Sequence, residues 1–297
     1  MTRQIPKTFL ALIVIAAIYT LLLLTPANNR KDSIPFYASQ SSINIAHRNG
    51  HGLMPGNTIE AGLHALEMGA DILEIDVHLS ADKHLVVRHD PIIDTTTDGI
   101  GRISEMKLAE IVQYDAKFHE IEYPNRVNIA GIKIPALTSL FDKIPNARFL
   151  IEIKPQDTEA ATRLCDTIRY YQMTEQVLVG SFHRSVLQHF RNICPEIPTS
   201  HAQSEIQFFV ILSRLRLGHL YDPPGYSMQL PMTYKGIKVL SPQILESAQN
   251  LNLKVDIWTI NDTYIKYKLL NMGVDGIITD RPDQLSAVLN KQSFKIH

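Results

Sequence analysis

Strand-like and helix-like runs alternate along most of this chain. The alternation predicts an α/β fold: a TIM-type (β/α)8 barrel with a small insertion after its second strand, preceded by an N-terminal transmembrane helix. Three observations carry that prediction. Short apolar runs read as buried parallel strands. Amphipathic runs separate them. An 18-residue stretch near the start is almost wholly apolar. An open doubly wound sheet is the alternative, but no G-x-G-x-x-G follows the first strand, so a dinucleotide-binding fold has no support.

The elements follow in order. From Phe9 to Leu24 only Tyr19 and Thr20 interrupt the apolar run, whose length with its flanks approaches the roughly 20 residues that span a bilayer as a helix. Arg3 and Lys7 precede it, and Arg30 and Lys31 follow it. The charge bias is therefore small and points to a cytoplasmic N-terminus. A cleaved signal peptide is the rival reading, and Thr25-Pro26-Ala27 is a poor cleavage site. This predicts an anchor over 1–27, a polar tether over 28–42 and a barrel over 43–297, with the catalytic part periplasmic or otherwise extracytoplasmic. The strands predicted are Ile43–His47, Ile72–Val77, Phe149–Lys154, Val177–Ser181, Thr199–His201, Ile237–Leu240, Val255–Thr259 and Gly276–Thr279. Helices are predicted over Thr58–Met68, Glu159–Gln172, Arg184–Asn192, Pro242–Leu251 and Tyr264–Met272.

Two regions break the alternation. His84–Ala136 is rich in turn residues, with one short helix near Ser104–Gln113, and reads as an insertion occupying about 91–136. Ile206–Leu217 is very apolar and then basic at Arg214 and Arg216. It is either a barrel helix or an interfacial helix beside a bilayer.

The composition excludes several functions. The chain has 297 residues, 45% hydrophobic residues and a formal net charge of -1, so no basic excess points to nucleic acid. Its two cysteines, Cys165 and Cys194, make no disulfide framework and read as ordinary buried thiols.

Chemistry enters with Leu73-Glu74-Ile75-Asp76-Val77. Side chains alternate along a strand, so Glu74 and Asp76 share one face of an otherwise apolar strand. Two carboxylates so placed repel each other unless a cation lies between them. In a (β/α)8 barrel the chemistry sits at the C-terminal ends of the strands. Those ends carry His47-Arg48, Glu74 with Asp76, Glu152 with Lys154, Ser181-Phe182-His183, His201, Trp258 and Thr279-Asp280. His89-Asp90 follows the extended Leu85-Val86-Val87. Glu74, Asp76 and Glu152 are hard oxygen ligands suited to one Mg²⁺ or Ca²⁺, and no His or Cys cluster argues for zinc. Arg48 can grip phosphate oxygens bidentately and Lys154 adds a point charge. Two histidines can serve as acid and base near neutral pH.

These residues resemble the glycerophosphodiester phosphodiesterase family over roughly residues 43–289. The matching pieces are A-H-R-N-G, Asn57-Thr58, G-A-D-I-L-E-I-D-V, V-V-R-H-D, I-P-A-L-T-S-L, I-E-I-K-P, the Trp of I-W-T-I-N-D, and G-V-D-G-I-I-T-D-R-P. The late apolar stretch also resembles the membrane-anchored branch that includes lysophospholipase D enzymes. The resemblance implies a divalent cation on Glu74, Asp76 and Glu152, with Arg48 and Lys154 on the phosphate. It implies His47 and His89 as the acid–base pair, His47 taken as base and His89 as acid, and Trp258 against the glycerol or acyl chain. The implied chemistry is attack by the neighbouring glycerol hydroxyl on the phosphate, followed by opening of a cyclic phosphate by water. The implied substrates are glycerophosphodiesters or lysophospholipids.

Two positions depart from the family pattern. Asn49 stands where H-R-G is usual, and Gly56 stands where a Glu usually precedes Asn-Thr. They motivate the alternative of a catalytically impaired lipid-binding module.

Overall fold

The structure is a computed structural model and describes residues 7–26, 29–37 and 42–293. Arg3, the end of the expected anchor and positions 28 and 38–41 of the expected tether lie outside the described residues.

An exposed helix, α1 (Lys7–Leu24), opens the chain and is long and apolar enough to cross a membrane. The barrel strands alternate with helices as the periodicity requires. They run β1 (Ile43–Ala46), α2 (Ile59–Glu67), β2 (Ile72–Leu79), β3 (Leu85–Val87), α3 (Leu108–Ile111), α4 (Leu137–Lys143), β4 (Arg148–Ile153), α5 (Thr158–Tyr170), β5 (Val177–Gly180), α6 (Arg184–Ile193) and α7 (Gln203–Arg214). The second half holds β6 (Ser227–Pro231), β7 (Thr233–Tyr234), β8 (Ile237–Lys238), α8 (Pro242–Asn250), β9 (Lys254–Trp258), α9 (Thr263–Asn271), β10 (Gly276–Thr279) and α10 (Pro282–Ser293).

The main sheet runs β5-β4-β2-β1-β10-β9-β6, all parallel. Parallel bridges Val179↔Thr199 and Ser200↔Ser227 close the ring, so Thr199–Ser200 occupies the eighth strand position. The alternation of side chains splits the core into layers. Leu73, Ile75 and Val77 face outward into the layer beneath the helices, while Ile43, Ile45, Ile72, Leu150, Leu178 and Ile278 fill the barrel's interior.

Three expectations change. The strand preceding β9 in the ring is Ser227–Pro231, and Ile237–Lys238 belongs instead to an exposed two-stranded hairpin with Thr233–Tyr234. Ser227-Met228-Gln229-Leu230-Pro231 carries polar inward positions and a proline, which hide its strand character, whereas the β-branched Ile237 and Val239 mimic a buried strand. The tether is more than a spacer. Phe36 and Tyr37 are buried in the barrel interior, and the Tyr37 hydroxyl donates to Asp256 Oδ2 at 2.8 Å. Finally, Cys165 and Cys194 form a disulfide with Cα atoms 6.1 Å apart, joining α5 to the end of α6. Two cysteines 29 residues apart carry no pairing information in sequence. The packing of α5 against α6 makes them neighbours.

Candidate active site

The strand register assembles the acidic cluster. Asp76 on β2 lies directly beside Glu152 on β4, and Glu74 is two residues back on the same face of β2. Ligand oxygens of Glu74, Asp76 and Glu152 all lie within 4.8 Å of one another. Glu74 is 6% exposed and Asp76 1%.

Their electrostatics show a deficit of positive charge. Burial, then repulsion from Asp76, pushes Glu74 well above the usual carboxylate range. Burial and then Asp76 push Glu152 up to about 7. For Asp76 burial acts upward, but Lys154, His89 and Arg48 outweigh it and hold the carboxyl below its ordinary value. Lys154 Nζ lies 3.1 Å from Glu152 Oε1 and 3.4 Å from Asp76 Oδ1. Two of three carboxyls thus favour protonation while sharing one small space. An all-oxygen donor set in that state fits a hard divalent cation.

Arg48 stands beside the cluster. Its backbone N–H donates to Glu74 Oε2 at 2.7 Å, and its Nε is 3.9 Å from Asp76 Oδ2. That Nε is buried without a hydrogen-bond acceptor, which leaves a donor available for a phosphate oxygen. The backbone at Arg48 and Asn49 has φ of 47° and 61°, and this left-handed turn carries the chain from β1 across the acidic face. Asn57 Nδ2 donates to Asp76 Oδ2 at 3.0 Å and fixes that carboxylate's orientation.

The two histidines reach the site by different routes. His47 ends β1, and its Nδ1 lies 2.6 Å from Asp280 Oδ1, just past β10. For Asp280 burial acts upward, but hydrogen bonds from His47 and His51 outweigh it and hold it ionised. An ionised carboxylate only accepts, so His47 Nδ1 carries the proton and Nε2 keeps its lone pair. Burial lowers the pKa of His47, which Asp280 partly opposes. His89 arrives on a hairpin. β2 extends beyond the barrel rim, β3 returns antiparallel with Val77 opposite Val87, and His89 follows at the mouth. Its Nδ1 lies 2.8 Å from Asp90 Oδ1, and Thr95 Oγ1 donates to the other oxygen at 3.0 Å.

Both histidines, Arg48, Lys154, Trp258 and the three carboxylates line one cavity of about 510 Å³ at the C-terminal end of the strands. The eight residues given a role from the sequence therefore meet, and the strand-end residues Ser181, Phe182 and His201 line the same cavity. Asp280 was marked only as a strand-end residue without a role, and His51 and Tyr123 were not singled out. His51 Nε2 lies 2.6 Å from Asp280 Oδ1, and the Tyr123 hydroxyl, from the insertion, donates to Asp280 Oδ2 at 2.8 Å. The T-D motif after β10 marked Asp280's place but not its partners.

The two departures now have packing reasons. A Cβ at Gly56 would lie 2.4 Å from the His51 Cβ, so the path of the chain at 51 leaves no room for a side chain at 56. Asn49 is buried, and its Nδ2 donates to the Thr58 carbonyl at 2.9 Å, tying the turn to the start of α2.

Comparison with known proteins agrees with this geometry. The profile of the glycerophosphoryl diester phosphodiesterase family matches residues 47–284. A glycerophosphodiester phosphodiesterase of Caldanaerobacter subterraneus subsp. tengcongensis is 31% identical over 261 residues, covering 83% of this chain and 97% of its own. A lysophospholipase D of Rattus norvegicus is 23% identical over 277 residues, covering 85% of this chain and 87% of its own. A phosphodiesterase of Oleispira antarctica, solved in complex with the product sn-glycerol-3-phosphate, is 25% identical with a TM-score of 0.70. That match covers 87% of this chain and 100% of the solved one.

Proposed function

The chain belongs to the glycerophosphoryl diester phosphodiesterase family, and from that premise we propose that it is a cation-dependent phosphodiesterase acting on glycerophosphodiesters and on lysophospholipids. Glycerophosphodiesters yield glycerol 3-phosphate and an alcohol. Lysophospholipids yield lysophosphatidic acid and the head group. The observation that carries this reading is the buried trio Glu74, Asp76 and Glu152 set beside Arg48 and Lys154, with a carboxylate-bound histidine on either side.

Each residue has a task in this reading. Glu74, Asp76 and Glu152 would hold the divalent cation, Mg²⁺ or Ca²⁺, which would supply Lewis-acid activation of a hydroxyl and offset phosphate charge. Arg48 and Lys154 bind the phosphate oxygens. His47, whose Nε2 lone pair is free, takes the proton from the glycerol hydroxyl as that oxygen attacks phosphorus. The bond from phosphorus to the head-group oxygen breaks, and His89 delivers a proton to the departing alcohol. Water then opens the cyclic phosphate with the proton transfers reversed. Trp258 packs against the glycerol. A lysophospholipid retains the free hydroxyl that this route needs, whereas a diacyl phospholipid does not.

α1 serves as an uncleaved anchor with its N-terminus in the cytoplasm, followed by the 28–42 segment and the barrel. The Cys165–Cys194 disulfide supports a barrel outside the cytoplasm, because such bonds persist in oxidising compartments.

The test is choline release from glycerophosphocholine and from lysophosphatidylcholine by the full-length protein, before and after chelation and after adding back Mg²⁺ or Ca²⁺. Loss of release on chelation and its return with the ion are expected. Release that survives chelation sinks the cation dependence. Release from the soluble diester alone sinks the lysophospholipid half of the reading.

A further inference from the structure

The cavity is larger than its phosphate-binding end. Beyond Trp258 and Phe182, whose rings stand edge to face at 6.1 Å, its wall turns apolar. Ile206, Val210 and Ile211 supply one side from a single face of α7, at helical spacing. Pro231, Ile237 and Val239 supply the other, from the end of β6 and the β7–β8 hairpin. The hairpin turn, Lys235-Gly236, has φ of 48° and 78°, the left-handed pair that a tight two-residue turn demands. Two hydrogen bonds fasten the hairpin to the helix: Gln203 Nε2 to the Tyr234 hydroxyl at 2.8 Å, and Arg214 to the Lys238 carbonyl.

This wall is costly unless something apolar covers it. Ile211 and Ile237 are 55% and 57% exposed. Three observations say what covers it. The apolar end is continuous with the phosphate end, so an occupant carries both a phosphate and a hydrocarbon. The segment that follows this helix touches α1: the Tyr19 hydroxyl donates to the carbonyl of Leu215, the residue that caps α7, at 2.9 Å, and His219 Nε2, one turn further on, donates to the Leu22 carbonyl at 3.0 Å. Arg214 lines the outer part of the cavity, and Lys235 and Lys238 are exposed on the hairpin, which suits an anionic lipid surface.

We propose that the face of α7 and the β7–β8 hairpin form an acyl-chain channel. It receives the single hydrocarbon chain of a monoacyl phospholipid whose phosphate lies at Arg48 and Lys154. The channel sets chain-length preference, and α1 holds its mouth at the bilayer from which the substrate enters. This inference rests on the lysophospholipid reading above and adds the residues that select the chain.

Trp258 is the only tryptophan in the sequence and lines the cavity, so its fluorescence reads binding without turnover. The full-length protein in nanodiscs is titrated with butyl, hexyl and octyl phosphate, and choline release is measured separately from glycerophosphocholine and lysophosphatidylcholine. Each buried methylene is expected to tighten binding about two- to fourfold. Val210→Phe should flatten that dependence by filling the channel without adding a second tryptophan. Ile237→Asp, at an exposed position, guards against misfolding of the first variant. It should lower lysophosphatidylcholine turnover about tenfold or more and leave glycerophosphocholine hydrolysis within about twofold. Binding that is independent of chain length in the unaltered protein overturns the channel. So do variants that depress both substrates equally. If chain-dependent binding is seen but no lysophosphatidic acid forms, the channel stands and the lysophospholipase D reading fails.

Discussion

The inner and outer ends of the cavity are held in place by different means. Glu74, Asp76 and Glu152 project from β2 and β4, whose ladder pairs six consecutive residues from Ile72↔Arg148 to Val77↔Ile153. Ile206, Val210, Ile237 and Val239 project from a helix and from a six-residue hairpin with the residue after it, joined by two side-chain hydrogen bonds. Backbone ladders fix a side chain's origin and leave it little freedom, which is what an acid–base and ion-binding centre needs. The difference teaches where each kind of substitution acts: inner changes alter the reaction, and outer changes alter the choice of substrate.

The largest test of that division is Asp76→Ala or Glu74→Ala. Either should reduce choline release from both substrates below detection, because two carboxylates are left to hold the cation. A lasting loss confined to the lysolipid would break the division. Next, His47→Ala and His89→Ala should each lower kcat about 10²- to 10⁴-fold on both substrates in a steady-state assay. Near-normal turnover would remove that histidine from the inner end.

Asp280→Asn should cost less and leave a signature. Asp280 raises the His47 pKa against the lowering by burial, so neutralising it lowers that pKa further. If His47 works as the base, the acidic limb of the kcat/KM–pH profile moves to lower pH. A limb that stays in place removes Asp280 from its positioning role.

Removing the cation should separate the two ends by stability. Glu152 titrates at about 7 in the folded, cation-free protein and near 4.3 when unfolded. Between those values the folded state holds a proton that the unfolded state has lost, so cation-free stability falls as pH rises through the window. A bound cation needs the deprotonated forms. Its stabilisation is therefore larger at pH 8 than at pH 5.5, on the order of 5 °C or more in Tm at saturating ion. An equal shift at both pH values would argue that the trio is not the binding site. The smallest effect on activity belongs to a bond outside both ends. Reducing Cys165–Cys194 should lower stability by about 3 to 4 kcal/mol, the loop-closure value for a separation of 29 residues, while leaving kcat on glycerophosphocholine unchanged. A fall in kcat would tie α5 and α6 to the chemistry.

Much of the inner end was legible in advance and little of the outer end was. Glu74 and Asp76 announced themselves because strand alternation puts i and i+2 on one face, a rule that needs no tertiary contact. The hairpin misled for the same local reason: Ile237-Lys238-Val239-Leu240 has strand composition, yet Ile237 and Lys238 lie exposed. Ser227–Pro231 was missed because it owes its strand state to pairing with β9 along five residues.

By itself the sequence determined the alternation of strands and helices, the apolar α1, the carboxylates at the strand ends and the order of the family motifs. All of these follow from periodicities of two and 3.6 residues or from residue identity. Only the tertiary structure decided who meets whom. Closing the ring brings Asp280 to His47 across 233 residues, and the stacking of successive β–α units packs α5 on α6 so that the cysteines pair. Local pattern carries no information about such pairs, because their proximity is a property of barrel closure and of no single segment.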